Sequence, residues 1–315
     1  MTTSKTKSYA IWTIAGVIVL VALIVGLSNR PTTTTTDPKT TIITQTVTET
    51  PQQAPRLDVV FAIDATGSMG DEIDVVKREV WNIANTLMKG KPAPDIRFGL
   101  VFYQDRGDTF LVKKTELTGN VDAIHDELMK ITADGGGDWR EHVGRGLHEA
   151  VNLDWDMNEG VTRLVYLVGD APGHDDYKDG FDVESALRTA RAKGIKINAV
   201  GCSGLDSGES EFRLIAQGTG GQYQPLTYQS VVTDDDGIER SVIYYNGDTY
   251  EAEGVLGKGD WGRGGGALLK EGKVRRARPS VAAKAAAPGA ATDNNLDTLI
   301  QEDVKAEAVD KGVAY

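Results

Sequence analysis

The sequence predicts a doubly wound α/β fold, and three observations carry that reading. Apolar runs alternate with amphipathic stretches from Leu57 to Tyr228, the pattern of a mostly parallel sheet covered by helices on both faces. Within the first amphipathic stretch Ile73, Val76, Val80, Ile83 and Leu87 recur at helical spacing. Glycines close the stretches, Gly90 after the first and Gly194 after a later one.

Each element follows in order. LDVVFAI at 57–63 is a buried strand, and DEIDVVKREVWNIANTLMKG is the helix after it. IRFGLVFY at 96–103 is a second strand and TFLVKKTEL at 109–117 an edge strand. VDAIHDELMKI and EHVGRGLHEAVNL are helices, the latter leading to the strand TRLVYLVG at 162–169. DVESALRTARAKG, IKINAVGC, SEFRLIAQGTGG and QYQPL complete the alternation as helix, strand, helix and short strand. Strand order is not encoded in these patterns.

The flanks differ in kind. Residues 9–27, YAIWTIAGVIVLVALIVGL, carry no charge, and at about 1.5 Å per residue they just span a hydrocarbon core. A cleaved signal peptide has a shorter apolar core and a small-residue exit, whereas this run leaves through GLSNR, so an uncleaved anchor is expected. Residues 1–8 are then a short inner tail, with the body on the extracytoplasmic side. The Thr/Pro-rich segment 28–56 offers no apolar periodicity and reads as a spacer. Beyond 57–228, SVIYYNGDTYEAE places Asn246-Gly247 between β-branched and aromatic runs, which makes 229–256 a β-hairpin extension. Residues 257–315 read as a Gly/Ala-rich flexible tail with the solvated basic trio Arg275, Arg276 and Arg278. They end in an amphipathic segment, LDTLIQEDVKAEAVDKG, able to dock as a helix on the body or a partner.

Composition narrows the function. With 34 Lys and Arg against 46 Asp and Glu, the net charge of -12 opposes a nucleic-acid binder that works by neutralising phosphates. The single Cys202 excludes an intrachain disulfide and any cysteine-built metal centre.

Chemistry concentrates where the first strand ends, in Asp64-Ala65-Thr66-Gly67-Ser68-Met69-Gly70. In doubly wound sheets ligands bind at the carboxyl ends of the strands. Three oxygen-bearing side chains two residues apart, Asp64, Thr66 and Ser68, converge there on a hard cation such as magnesium. Standing alone, the same pattern serves equally as a helix cap.

The segment resembles the metal-ion-dependent adhesion site of von Willebrand factor type A domains, whose first motif is D-x-S-x-S or D-x-T-x-S. The resemblance covers residues 57–228 and implies a Rossmann-like domain with a divalent cation at its top face, held from three loops. It implies Mg2+, or Mn2+ or Ca2+ in its place, with Asp170 after TRLVYLVG as the third-loop ligand. The second loop departs from the usual threonine: GGGDWRE places Asp138 at the matching position, with Glu141 close behind, as in a subset of the family. Three carboxylates about one cation leave a local charge of about -1, which weakens capture of an anionic partner. Asp138 therefore acts through water, or the partner supplies a neutral oxygen.

Other residues keep two readings. Asp105 in YQDRGD either orients a ligand or makes a turn. Arg106-Gly107-Asp108 is explained by a turn. His142 and His174 near the site either orient water or bond to backbone, His125 and His148 look structural, and Trp139 is either a contact anchor or a packing residue. The reading that follows is a membrane-tethered, non-enzymatic module that binds a protein or peptide through the cation. Two others compete. One is a magnesium-dependent phosphohydrolase of haloacid-dehalogenase type with Asp64 as nucleophile, which wants an acid where Thr66 stands. The other is a metal-free scaffold.

Overall fold

The computed structural model describes residues 54–285 and 292–315. The expected membrane helix at 9–27, and all but the last three residues of the expected spacer, lie outside the described residues. Among the described residues no helix is long and apolar enough to cross a membrane.

A six-stranded sheet is built from β1 (Arg56–Asp64), β2 (Asp95–Tyr103), β3 (Val112–Thr118), β4 (Thr162–Gly169), β5 (Ile195–Gly201) and β6 (Tyr223–Pro225). Its order is β3-β2-β1-β4-β5-β6, with every pair parallel except the antiparallel edge β2-β3. Strand β1 is buried from Leu57 to Asp64 because both its faces are covered, which is why it reads as one apolar run instead of an alternation. Phe61 and Ile63 meet the helices α1 (Gly70–Leu87) and α2 (Val121–Met129) on one face. Val60 and Ala62 meet α3 (Val143–Val151), α4 (Val183–Lys193) and α5 (Glu209–Gln217) on the other. Helix α4 stops where Gly194 turns into the left-handed region at φ 63°, its amide bonded back to the last turn. The sheet runs outward in opposite directions from β1 and β4, so their carboxyl ends flank a crevice.

The described residues after β6 are ordered to a degree that their composition conceals. Strands β7 (Thr227–Thr233), β8 (Glu239–Tyr245), β9 (Asp248–Ala252), β10 (Val274–Arg276) and β11 (Asp293–Asn294) form a five-stranded antiparallel sheet. The expected hairpin is β8-β9, turning on Asn246 and Gly247 at φ 52° and 77°. The expected flexible tail at 257–315 is corrected. Helices α6 (Lys258–Trp261), α7 (Gly265–Lys270) and α8 (Pro279–Ala282) bury Trp261, Leu268 and Val281. Two of the glycines here serve close packing: a Cβ on Gly265 would lie 2.3 Å from Tyr245 Cγ, and one on Gly262 would lie 2.6 Å from Lys258 O. The basic trio is not a solvated loop either. Arg275 and Arg278 pair with the buried Glu251 at 3.0 and 2.9 Å, and Arg276 pairs with Asp248.

Helix α9 (Leu296–Asp310) returns to the first sheet. Its buried stripe Leu296, Ile300, Val304 and Ala308 joins the core formed by α1 and the first sheet. Asp303 accepts hydrogen bonds at 2.5 Å from both Tyr166 Oη and Asn198 Nδ2. The antiparallel sheet is thus inserted between β6 and the last helix that covers the parallel one. Tyr228 links the two, accepting from Ser203 N at 2.9 Å and donating to the buried Glu72.

Candidate metal centre

Parallel pairing sets the floor of the site. Asp64 ends β1 opposite Tyr103 of β2, and Ile63 pairs with Val168 of β4, so Asp170 emerges beside it. Gly169 keeps the floor open, since a Cβ there would lie 2.9 Å from Tyr103 Oη and 3.5 Å from Asp64 Cβ. The chain then turns on its own side chains. Asp64 Oδ1 accepts from Thr66 N at 2.9 Å and from Thr66 Oγ1 at 2.7 Å, and Thr66 Oγ1 stands 3.4 Å from Ser68 Oγ.

A glycine loop closes over this turn. Gly135 and Gly136 hold φ of 83° and 87°, a conformation that side chains disfavour, and Gly67 N donates to Gly135 O at 3.4 Å. Asp108 anchors the loop by accepting from Gly136 N at 3.1 Å, while Arg106 pairs with Asp179 at 2.5 Å. The Arg-Gly-Asp tripeptide is therefore spent on internal bonds. Gln104, which sequence reasoning passed over, is fully buried and ties the loops together. Its Nε2 donates to Ala65 O at 2.8 Å and Asp134 O at 2.5 Å, and its Oε1 accepts from Phe110 N at 3.1 Å.

Asp64, Thr66, Ser68 and Asp170 come together; Asp138 does not join them. Its side chain is 64% exposed and faces His174, 3.7 Å away. The carboxyl that turns inward is Glu141, buried at 3% exposure. Its backbone is pinned to the β4 loop through Glu141 N to Pro172 O and His174 N to Glu141 O. Only that tertiary pinning decides which of two acids three residues apart faces the site. Trp139 between them is 51% exposed, a side chain that is not packed away.

The electrostatics fit a missing positive charge. Burial, and after it Asp170, pushes the Asp64 carboxyl up to about 7. Burial followed by Asp64, Asp105, Asp108 and Asp170 pushes Glu141 to about 9. Burial also raises Asp170, against the opposing pull of the Ser68 hydroxyl. Asp64 Oδ2, Asp170 Oδ1 and Glu141 Oε2 are buried with no hydrogen-bond partner among the described residues. Native interiors rarely leave such oxygens unpaired. A hard divalent cation suits this oxygen set, with Asp64, Thr66, Ser68 and Asp170 to hold it.

A doubly wound sheet with an acid-and-hydroxyl turn after its first strand and an aspartate after its fourth defines a class of Rossmann-like α/β domain. The chain belongs to the von Willebrand factor A domain family, whose profile matches residues 58–230, more than half of its length. It is 30% identical over 124 residues to the alpha-protein kinase vwkA of Dictyostelium discoideum, covering 38% of this chain and 19% of that protein. Among solved structures it is similar to proximal thread matrix protein 1 of the mussel byssus (TM-score 0.42, 21% identity, 55% of this chain, 42% of that one). It is also similar to the pilus adhesin SpaC of Lactobacillus rhamnosus GG (TM-score 0.42, 13% identity, 62% of this chain, 36% of that one). Domains of this family typically bind protein partners.

Proposed function

We propose that the chain is a membrane-tethered binding module that engages a protein or peptide by completing the coordination of a divalent cation, Mg2+ in the first instance. The observation that carries the reading is the set of three buried carboxylate oxygens without hydrogen-bond partners among the described residues, on Asp64 and Asp170 at the carboxyl ends of β1 and β4 and on Glu141 in the loop before α3. When bound, the cation supplies an electrophilic centre with an open position for a partner's oxygen. The protein's part is to hold that centre rigidly. The Asp64–Thr66 bonds fix the turn, and Ser68 stands at its exposed rim. With Asp138 turned outward and the Glu141 carboxyl pushed by burial to about 9, hence uncharged at pH 7, Asp64 and Asp170 balance the ion's two charges. An acidic side chain of a partner then meets a neutral centre instead of one already at about -1, which removes the objection that Asp138 raised in the sequence.

Trp139 stands on the rim of an adjoining cleft of about 420 Å³ that His174, Tyr177 and Phe181 also line. It is the aromatic anchor of the contact. The uncharged run 9–27 tethers the module, with residues 28–56 as spacer and the domain outside.

The test is thermal melting of the full chain in detergent with Mg2+ and with chelator. Mg2+ should raise the melting temperature, because a ligand that binds only the folded state stabilises it. The rise should vanish in Ser68→Ala and Asp170→Ala. A partner retained from membranes in Mg2+ should be released by chelator and by Trp139→Ala, the latter without loss of the Mg2+ response. Metal-independent melting, or phosphoester turnover lost in Asp64→Asn, would overturn the reading.

A further inference from the structure

Beside the first centre, the loop after β2 and the outer parts of the glycine loop and the loop after β4 bring Asp105, Asp138 and His174 together, one ligand atom of each lying within 4.8 Å of the others. We propose that these residues form a second metal site, selective for a borderline transition ion such as Zn2+. The inference stands apart from the Mg2+ reading above.

The imidazole is set up as a ligand. His174 Nδ1 lies 2.8 Å from Asp176 Oδ1, and an ionised carboxylate only accepts, so Nδ1 carries the hydrogen. In the neutral ring the lone pair is then on Nε2. That atom is buried without a hydrogen-bond partner among the described residues, on a side chain only 7% exposed. Metal-bound histidines almost always carry such a carboxylate on their other nitrogen. His174 Nε2 lies 3.5 Å from Asp105 Oδ2 and 3.7 Å from Asp138 Oδ1, too far for hydrogen bonds. Two ligands each about 2.1 Å from one ion and about 110° apart are separated by about 3.4 Å, so the spacing suits an ion between them.

The surroundings hold this geometry. Tyr177 Oη donates to Asp105 Oδ2 at 2.7 Å and leaves Asp105 Oδ1 buried and unpaired among the described residues. The Tyr177 ring stacks on His174 with centroids 4.0 Å apart and planes 4° from parallel, and the Arg106 guanidinium covers Tyr177 at 3.9 Å. One nitrogen and two carboxylates favour Zn2+ over Mg2+, which prefers an all-oxygen shell. Asp138, 64% exposed, places the site at the surface, where the ion enters and a partner's donor completes a fourth position.

The test titrates Zn2+ calorimetrically into the metal-stripped full chain in detergent, with Mg2+ in large excess to occupy the first centre. One Zn2+ per chain should bind. Asp138→Asn, on an exposed side chain that folding does not need, should weaken it at least about tenfold, as should His174→Gln, and Asp176→Asn by about 10–100-fold. Binding should persist in Asp64→Ala. No Zn2+ uptake would overturn the proposal. Uptake unchanged in Asp138→Asn and His174→Gln, or lost in Asp64→Ala alone, would overturn it equally.

Discussion

Chelating the chain and raising the pH should remove stability that Mg2+ restores, through two buried carboxyls of which Asp64 completes its loss first. Its carboxyl moves from an ordinary 3.8 to about 7 on folding, because burial and the nearby Asp170 disfavour its charge. Below about pH 4 folded and unfolded forms are both protonated and the contribution is fully present. Between about pH 4 and 7 only the unfolded form ionises, so stability falls as pH rises. At about 1.36 kcal/mol per pKa unit, the shift is worth about 4 kcal/mol by the top of that window. Glu141 adds a loss of the same sign between 4.5 and about 9. The opposite limb lies lower: Asp179, bonded to Arg106 and His142, and Asp234, bonded to Arg240, are held below the usual carboxylate range. Their contribution is lost only as pH falls below about 4. Urea unfolding in chelator across this range should give a stability that declines with pH, and a shallower decline in Asp64→Asn. Saturating Mg2+ should restore more at pH 8 than at pH 5, since the ion competes with protons for the same oxygens. Parallel profiles for wild type and Asp64→Asn, with Mg2+ stabilisation independent of pH, would refute the reasoning.

Two further outcomes test the packing that presents the site. Gly144→Ala gains about 1 kcal/mol of helix propensity but puts a Cβ 2.0 Å from the backbone oxygen of Phe181, so it should destabilise by about 1–3 kcal/mol net in urea unfolding. Ile300→Ala, fully buried on α9, should cost about 2–5 kcal/mol in the same experiment, whereas a near-neutral result would return residues 296–310 to a loosely attached tail.

Much of the fold was legible because β1, β2, β4 and β5 are covered on both faces and so read as predominantly apolar runs. The acid-and-hydroxyl turn was legible because Asp64, Thr66 and Ser68 are close in sequence and follow such a run directly. Asp170, far from that turn in the sequence, was reached only through the family resemblance, as the aspartate of the third loop. The choice between Asp138 and Glu141 was not legible. It rests on left-handed glycines held by Asp108 and on Glu141 N bonding to Pro172 O, contacts that span 28 and 31 residues. The Asp105, Asp138 and His174 cluster was hidden for the same reason, each residue coming from a different loop. In the tail, the spacing Leu296, Ile300, Val304 and Ala308 announced a helix, but the first sheet that it covers was made more than 70 residues earlier. Among the glycines that suggested flexibility, Gly262 and Gly265 are positions of close approach, the latter against Tyr245.

The central claim is that one divalent ion sits where Asp64, Ser68 and Asp170 meet, and anomalous diffraction from Mn2+-soaked crystals tests it most directly. A single peak within about 2.5 Å of Ser68 Oγ and of a carboxylate oxygen of Asp170, absent in Asp170→Ala crystals, is the predicted result. Density only elsewhere, or none at a Mn2+ concentration that shifts melting, would contradict it.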